Sequence, residues 1–151
     1  MIVLSRIDSR LIHGQVIEAW LPHLKVQRVI IADDEAATDP LARAAMALAV
    51  PPNVEVQMRP VAEIDYRALS LDPVRTLVLF RDVSGAVHAR AHGLPNGLLN
   101  IGNVHAGPGR EPVSQTVFLS QPEREALHDL GASGMDVVIQ SIPNERPTPL
   151  A

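Results

Sequence analysis

Apolar residues in this chain gather into short runs, separated by longer stretches in which they recur every three to four positions. The runs are Ile2-Val3-Leu4, Val29-Ile30-Ile31-Ala32, Val54-Glu55-Val56, Leu77-Val78-Leu79-Phe80, Leu98-Leu99-Asn100-Ile101, Val117-Phe118-Leu119 and Val137-Val138-Ile139. Several are apolar throughout rather than alternating, the pattern of strands in a parallel sheet covered on both faces. Between them the period changes to that of a helix. Val16, Ile17, Trp20, Leu21 and Leu24 fall on one face, and Pro22 ends or bends that helix early. Leu41, Ala44, Ala45, Leu48 and Ala49 share a face in the next segment, which Pro51-Pro52 terminates. Val83, Ala86, Val87 and Ala91 form a third stripe, opened by Asp82 as N-cap and closed by Gly93. Ser120-Gln121-Pro122-Glu123 has the form of a capping box ahead of Ala126, Leu127 and Leu130. This alternation predicts an α/β fold: a single-domain, open, mostly parallel twisted sheet with helices on both faces. Residues 1–142 make up that domain, and residues 143–151, with three prolines, an irregular exposed tail. In such folds the loops that follow the strands share one edge, where ligands bind.

Composition narrows the picture. A chain of 151 residues, 46% of them hydrophobic, buries a core without help from cross-links and does not read as disordered. A net charge of −4 gives no basic footprint for nucleic acid and none for an anionic membrane surface. No run approaches the roughly 20 apolar residues of a spanning helix, and Met1 leads into a strand rather than a signal peptide. The absence of cysteine excludes disulfides, thiolate metal sites and cysteine nucleophiles, and suits a reducing, cytoplasmic compartment.

Candidate chemistry concentrates where the first strand gives way to the first helix: Ser5-Arg6-Ile7-Asp8-Ser9-Arg10-Leu11-Ile12-His13-Gly14-Gln15. A neutral imidazole nitrogen carries a lone pair near neutral pH and can attack phosphorus. The resulting phosphoryl group carries close to two negative charges and needs cations and donors around it. Arg6 and Arg10 can supply guanidinium contacts, and the opening amides of the helix, at Gly14 and Gln15, can add N–H donors. Gly14 also leaves the ring unobstructed by a side chain. A histidine in such a loop is more often an ordinary surface or hydrogen-bonded residue, with the arginines paired to Asp8 or to Asp33-Asp34-Glu35. Spacing alone does not separate the two readings.

The stretch Arg6-Ile7-Asp8-Ser9-Arg10-Leu11-Ile12-His13-Gly14-Gln15-Val16, with Trp20 following, resembles the signature loop of the IIB components of mannose/fructose/sorbose-type bacterial sugar phosphotransferase systems. Ile31-Ala32-Asp33-Asp34-Glu35-Ala36-Ala37, Pro51-Pro52 and Leu99-Asn100-Ile101-Gly102-Asn103-Val104-His105 resemble later stretches of the same family in the same order. The resemblance implies a cytoplasmic phosphocarrier. His13 would accept a phosphoryl group from a IIA protein, itself charged by HPr, and pass it to a hexose-type sugar bound by membrane IIC/IID components. It implies Nδ1 as the phosphorylated nitrogen, Arg6, Arg10, Gly14 and Gln15 as phosphoryl ligands, and no metal or organic cofactor. A regulatory relative, whose phosphorylation signals rather than drives transport, keeps the same loop. The chain departs from the family at Ser9, where many members are acidic, after His105, and in a tail without a long amphipathic helix.

Other candidates have weaker patterns. His105 lies in a loop with Gly102, Gly107 and Gly109, which serves equally as an anion-binding nest or as a plain turn. No Lys-Ser or Lys-Thr follows those glycines and no G-x-G-x-x-G follows the first strand, so nucleotide motifs are missing. Asp8 and Ser9 are expected to support the loop, and Asp33 to cap the second helix or to bond a loop arginine. His88 and His92, four residues apart, have Arg90 between them and read as a solvated face rather than a metal site. His23 and His128 are assigned no role.

Overall fold

The computed structural model describes residues 1–150. Seven strands form one sheet in the order β3-β2-β4-β1-β5-β8-β9, with β1 at Ile2–Asp8, β2 at Arg28–Ala32, β3 at Glu55–Arg59, β4 at Thr76–Phe80, β5 at Leu98–Asn103, β8 at Asp136–Ile139 and β9 at Thr148–Pro149. All neighbours pair in parallel except β9, which runs antiparallel to β8. The expected open, mostly parallel α/β sheet is therefore present. In β2 and β4 all five residues are buried, because helices cover both faces, and their sequences are correspondingly continuous runs.

Two apolar clusters flank the sheet. One joins Ile7, Ile30, Val78, Phe80 and Ile101 to helices α5 (Val83–Ala91) and α6 (Gln121–Ala132). The other joins Leu4, Val29, Ile31, Leu77 and Leu79 to Val16, Trp20, Leu21 and Ala36. Alternation along β1 thus sends Ile7 to the first cluster and Leu4, Arg6 and Asp8 to the side of the second. Short helices complete the layers: α1 (Leu21–His23), α2 (Asp34–Ala37), α3 (Pro40–Ala49) and α4 (Tyr66–Leu71).

Several sequence expectations need correction. Pro22 distorts the first helix without stopping it at once, and the helix ends one residue later at His23. A π-helical turn at Val16–Trp20 runs straight into α1, and the Leu21 N–H reaches five residues back to the Val16 carbonyl. Pro22 has no N–H to give Glu18, and its ring would crowd that carbonyl, so the widened turn lets the helix continue. The second helix is two helices. Asp33 caps α2 by accepting from the Ala36 N–H, and Asp39, followed by Pro40, caps α3 by accepting from Leu41 and Ala42. The apolar stripe on α3 is not a core face: none of its residues is buried, and Leu41 and Leu48 are 81% and 86% exposed. In α5 the buried face is Val83, Ala86 and Ala89, one step round from the expected stripe, with Val87 and Ala91 facing out.

The Asp82 cap and the capping box at Ser120 are as expected. Gly93, with φ +104°, closes α5 while the Leu94 N–H bonds the Ala89 carbonyl, a left-handed stop that favours glycine. Val117-Phe118-Leu119 lies outside the main sheet. Its β7 (Phe118–Leu119) pairs with β6 (Glu111–Pro112) as a small hairpin, and Val117 bridges Val104. The tail is not wholly irregular, since the Glu145 N–H bonds the Ile142 carbonyl in a turn and β9 returns to β8.

Candidate active site

Strand order reverses beside β1. From β1 the chain crosses to β2 on one side, whereas from β5, its other neighbour, it crosses to β8 on the opposite side. The carboxyl ends of β1 and β5 therefore border the crevice where open α/β sheets place their ligands. His13 follows β1 at this point, and Asn103 ends β5.

The site is built on the last residues of β1, which extends further than the first apolar run suggested. Arg6 and Asp8 belong to the strand, not to the loop, and both are fully buried. Arg6 Nε and Nη2 donate to Asp8 Oδ2 at 3.2 and 3.1 Å, and Nη1 donates to Asn100 Oδ1 at 2.5 Å and to the Gln140 carbonyl at 3.0 Å. The Trp20 ring lies 5.3 Å from Arg6 Cζ, a cation–π contact fixed by the indole N–H donating to the Ser141 carbonyl at 2.9 Å. Arg6 is thus buried in the strand with its hydrogen bonds directed inward, rather than in the loop where the sequence suggested it.

Asp8 is the hub. Its Oδ1 accepts from the Arg10 backbone N–H at 3.0 Å. Its Oδ2 meets His13 Nε2 at 2.7 Å and Asn103 Nδ2 at 3.3 Å. Burial pushes the Asp8 carboxyl up, but the His13 hydrogen bond and the Arg6 charge outweigh it and hold the group below the usual aspartate range. An ionised Asp8 accepts, so the His13 Nε2–H donates, and in a neutral ring so held the lone pair lies on Nδ1. That nitrogen is buried and has no hydrogen-bond partner.

The loop between them is held in a strained shape. Leu11 adopts φ +56°, a left-handed conformation unusual for a bulky residue, with its side chain buried in the second cluster and its N–H on the Asp8 carbonyl at 3.0 Å. His13 starts the helix, its carbonyl accepting from the Ile17 N–H at 3.0 Å.

The remaining expected residues divide into two groups. Arg10 is exposed, and its guanidinium has no hydrogen bond or ion pair among the described residues. Gly14 is exposed, and a Cβ there would meet nothing within 4 Å. Gln15 instead turns its Oε1 to Asn103 Nδ2 at 3.0 Å. Ser9 is a stitch between loops: its Oγ accepts from the His105 N–H at 3.1 Å, and its own N–H donates to the Asn103 carbonyl at 2.9 Å. His105 enters through its backbone, its carbonyl accepting from Arg110 Nη1 at 3.0 Å. Arg110 in turn pairs with Glu123, tying the glycine-containing loop to the start of α6. Asp33 does bond a loop arginine, but it is Arg81 after β4, at 2.7 Å, rather than one from the first loop. His88 and His92 pack edge to face at 4.7 Å on an exposed surface, and no group of three metal-ligating side chains occurs among the described residues.

Asn100, Asn103, Gln140 and Arg81 were not singled out from sequence. For Asn100 the signal is present: a lone amide inside an otherwise apolar strand needs a buried partner. Gln140 and Arg81 carry no such mark, because only tertiary pairing brings them to their places.

A parallel α/β domain with a carboxylate-held histidine at its strand-order switch point defines the class. Within it, the chain belongs to the IIB components of the sorbose subfamily of phosphotransferase systems, whose family model (PTS system sorbose subfamily IIB component) matches residues 2–151. It is 30% identical over 145 residues to the N-acetylgalactosamine-specific phosphotransferase enzyme IIB component 2 of Escherichia coli (strain K12), covering 95% of this chain and 92% of that protein. Among solved structures, it resembles manxB from Thermoanaerobacter tengcongensis with a TM-score of 0.88 at 34% identity, covering 99% of this chain and 92% of that one. It resembles the IIBSor domain of the sorbose permease from Klebsiella pneumoniae with a TM-score of 0.88 at 26% identity, covering 99% and 93%. No helix among the described residues is long and apolar enough to cross a membrane.

Proposed function

We propose that this chain carries a phosphoryl group on Nδ1 of His13, taking it from a phosphorylated IIA protein and giving it to a hexose-type sugar bound by membrane IIC/IID components. The observation that carries the reading is the asymmetry of the ring: Nε2 is tied to Asp8, and Nδ1 is held without a partner. In the accepting step the Nδ1 lone pair forms the new N–P bond while the bond from phosphorus to the donor breaks. The Nε2 proton stays in its hydrogen bond, and Asp8 offsets the positive charge the ring gains. In the donating step a sugar hydroxyl oxygen displaces Nδ1 at phosphorus, and the hydroxyl proton leaves to a base outside this chain.

Arg10 is the cation for the transferred group. It is exposed, unpaired among the described residues, and its backbone is fixed by the same Asp8 that orients His13. The amides of Gly14 and Gln15, at the start of the helix, are further donors. Phosphoryl transfer asks little of a protein beyond in-line placement and charge stabilisation, and a histidine on a rigid sheet edge supplies the first.

The test is transfer itself. The chain is mixed with enzyme I, HPr, a mannose-family IIA and phosphoenolpyruvate, and its intact mass is read before and after acid. One acid-labile phosphate on the native chain, none on His13→Gln, and a phosphorus–nitrogen coupling at Nδ1 are expected. A phosphate that persists on His13→Gln rejects the assignment.

A further inference from the structure

Arg6 is fully buried, and after Asp8 no side chain of the site makes more hydrogen bonds. Its guanidinium spends two bonds on Asp8 Oδ2, one on Asn100 Oδ1 and one on the Gln140 carbonyl. Its bed is shaped for it. A Cβ on Gly102 would stand 2.0 Å from Arg6 Cζ and 2.1 and 2.4 Å from Nη2 and Nη1, so any side chain there displaces the whole guanidinium plane. Gly102 is not among the glycines with positive φ, so its backbone does not require glycine; the neighbour does. Asn100 turns its oxygen to Arg6 and leaves its own Nδ2 buried without a partner. The Gln140 carbonyl is held in place in turn, since the Gln140 side-chain amide bonds the Glu145 carbonyl at 2.8 Å and the Pro143 carbonyl at 3.4 Å.

We propose that Arg6 is a positioning residue for transfer through His13: cradled by Asn100, Gly102 and the Gln140 carbonyl, it aims Asp8 so that Asp8 fixes His13 with Nε2–H held and Nδ1 left without a partner. The proposal rests on His13 being the phosphoryl acceptor. The charged groups facing this centre are few. Asp8 faces Arg6 on its own strand and His13 from the loop, with the neutral Asn103 from β5, and Glu145 adds negative charge near Arg6 from the tail turn. Removing Arg6 leaves Asp8 a buried carboxylate that has lost its guanidinium and keeps only the hydrogen bonds from His13, Asn103 and the Arg10 N–H. It then either takes up a proton or turns away, and in both cases the ring loses the acceptor that selects its tautomer. A second-layer group of this kind acts by orientation, which a phosphoryl ligand does not.

Three variants decide the matter: Arg6→Met, which removes the charge; Arg6→Lys, which keeps the charge but loses the planar fork; and Gly102→Ala, which evicts the fork. Ring nitrogen-15 NMR reads the His13 tautomer without any phosphodonor, and transfer from phosphorylated IIA gives kcat and KM. The native ring is expected as Nε2–H and Arg6→Met as a mixture. Transfer in Arg6→Met is expected to fall on the order of 100-fold in kcat, the usual result of misplacing a reacting group by about 1 Å, at unchanged KM. Arg6→Lys is expected to recover part of both, and Gly102→Ala to resemble Arg6→Met. If Arg6→Met does not fold, the contrast of Arg6→Lys with the native chain carries the test. A native ring that is not Nε2–H, or variants that leave the tautomer intact while raising KM or hastening loss of phosphate from His13, overturn the proposal. If the native chain takes no phosphoryl group at all, the reading of His13 fails, and the NMR still decides what Arg6 does to the ring.

Discussion

Asp8, not His13, sets the energetics of the site at the scale of single residues. It is a fully buried carboxylate paired with one guanidinium and hydrogen-bonded to one imidazole, and taking away one partner of such a buried pair leaves a charge with no compensation. Asp8→Asn is expected to cost about 3–5 kcal/mol by urea unfolding, chiefly through the stranded Arg6. The pH dependence follows from the lowered Asp8 carboxyl. Below about pH 4 an unfolded aspartate takes up a proton while the folded one resists. The stabilisation is therefore present above the unfolded value of about 4 and is lost as the pH falls from that value through the lowered folded one. Unfolding free energy measured from pH 7 to 2 should drop less steeply in Asp8→Asn than in the native chain. Arg10 and Gly14 give the opposite signature, since both are exposed. Arg10→Gln should leave stability within about 0.5 kcal/mol and slow phosphoryl transfer by roughly 100- to 1000-fold, the range for losing one well-placed charge-stabilising donor. A thermal melt beside the transfer assay checks both halves.

At the scale of elements, the first strand and its loop explain why this edge of the sheet is the working one. β1 is flanked by β4 and β5, and its last residues are buried enough to hold a charged pair. The strained Leu11 and the π-helical turn ahead of Pro22 then deliver His13 at a helix start and Trp20 against Arg6. Elements elsewhere follow local rules. Ser120→Ala should cost about 1 kcal/mol, because the side chain takes the Glu123 N–H in a complete capping box. Leu41→Ala and Leu48→Ala should each change stability by less than about 0.5 kcal/mol, since neither side chain is in the core. Chemical denaturation of the three variants checks these values.

That last case also marks where sequence stops being informative. Periodicity finds α3 but not which side its apolar face meets, and here it faces out. Capping chemistry is local, so Asp82, Gly93 and Ser120 were legible. The break at Asp39-Pro40 was equally local in its chemistry, yet the continuous apolar period masked it. In the site, His13, Arg10 and the stitching role of the first loop were within reach of motif reasoning. The inward turn of Arg6 was not, because the cradle that receives it comes from β5 and from the turn after β8, about a hundred residues away.

Across the whole molecule, the parallel sheet turns remote segments into one site. The ends of β1, β5 and β8 contribute Asp8, Asn103 and the carbonyls of Gln140 and Ser141, and the tail turn after β8 locks the last two. Burying an ion pair at the end of a central strand costs desolvation, which four bonds to Arg6 and the Asp8 contacts offset. The result is a histidine with one nitrogen fixed by Asp8 and the other without a partner, at a rigid sheet edge beside an exposed arginine and an exposed glycine. The most direct test of this account is the site of phosphate on the chain after incubation with phosphorylated IIA, read by phosphorus and nitrogen-15 NMR at neutral pH. A single acid-labile phosphate bonded to Nδ1 of His13 is expected. A phosphate bonded to Nε2, or to any other residue with His13 left unmodified, would contradict it.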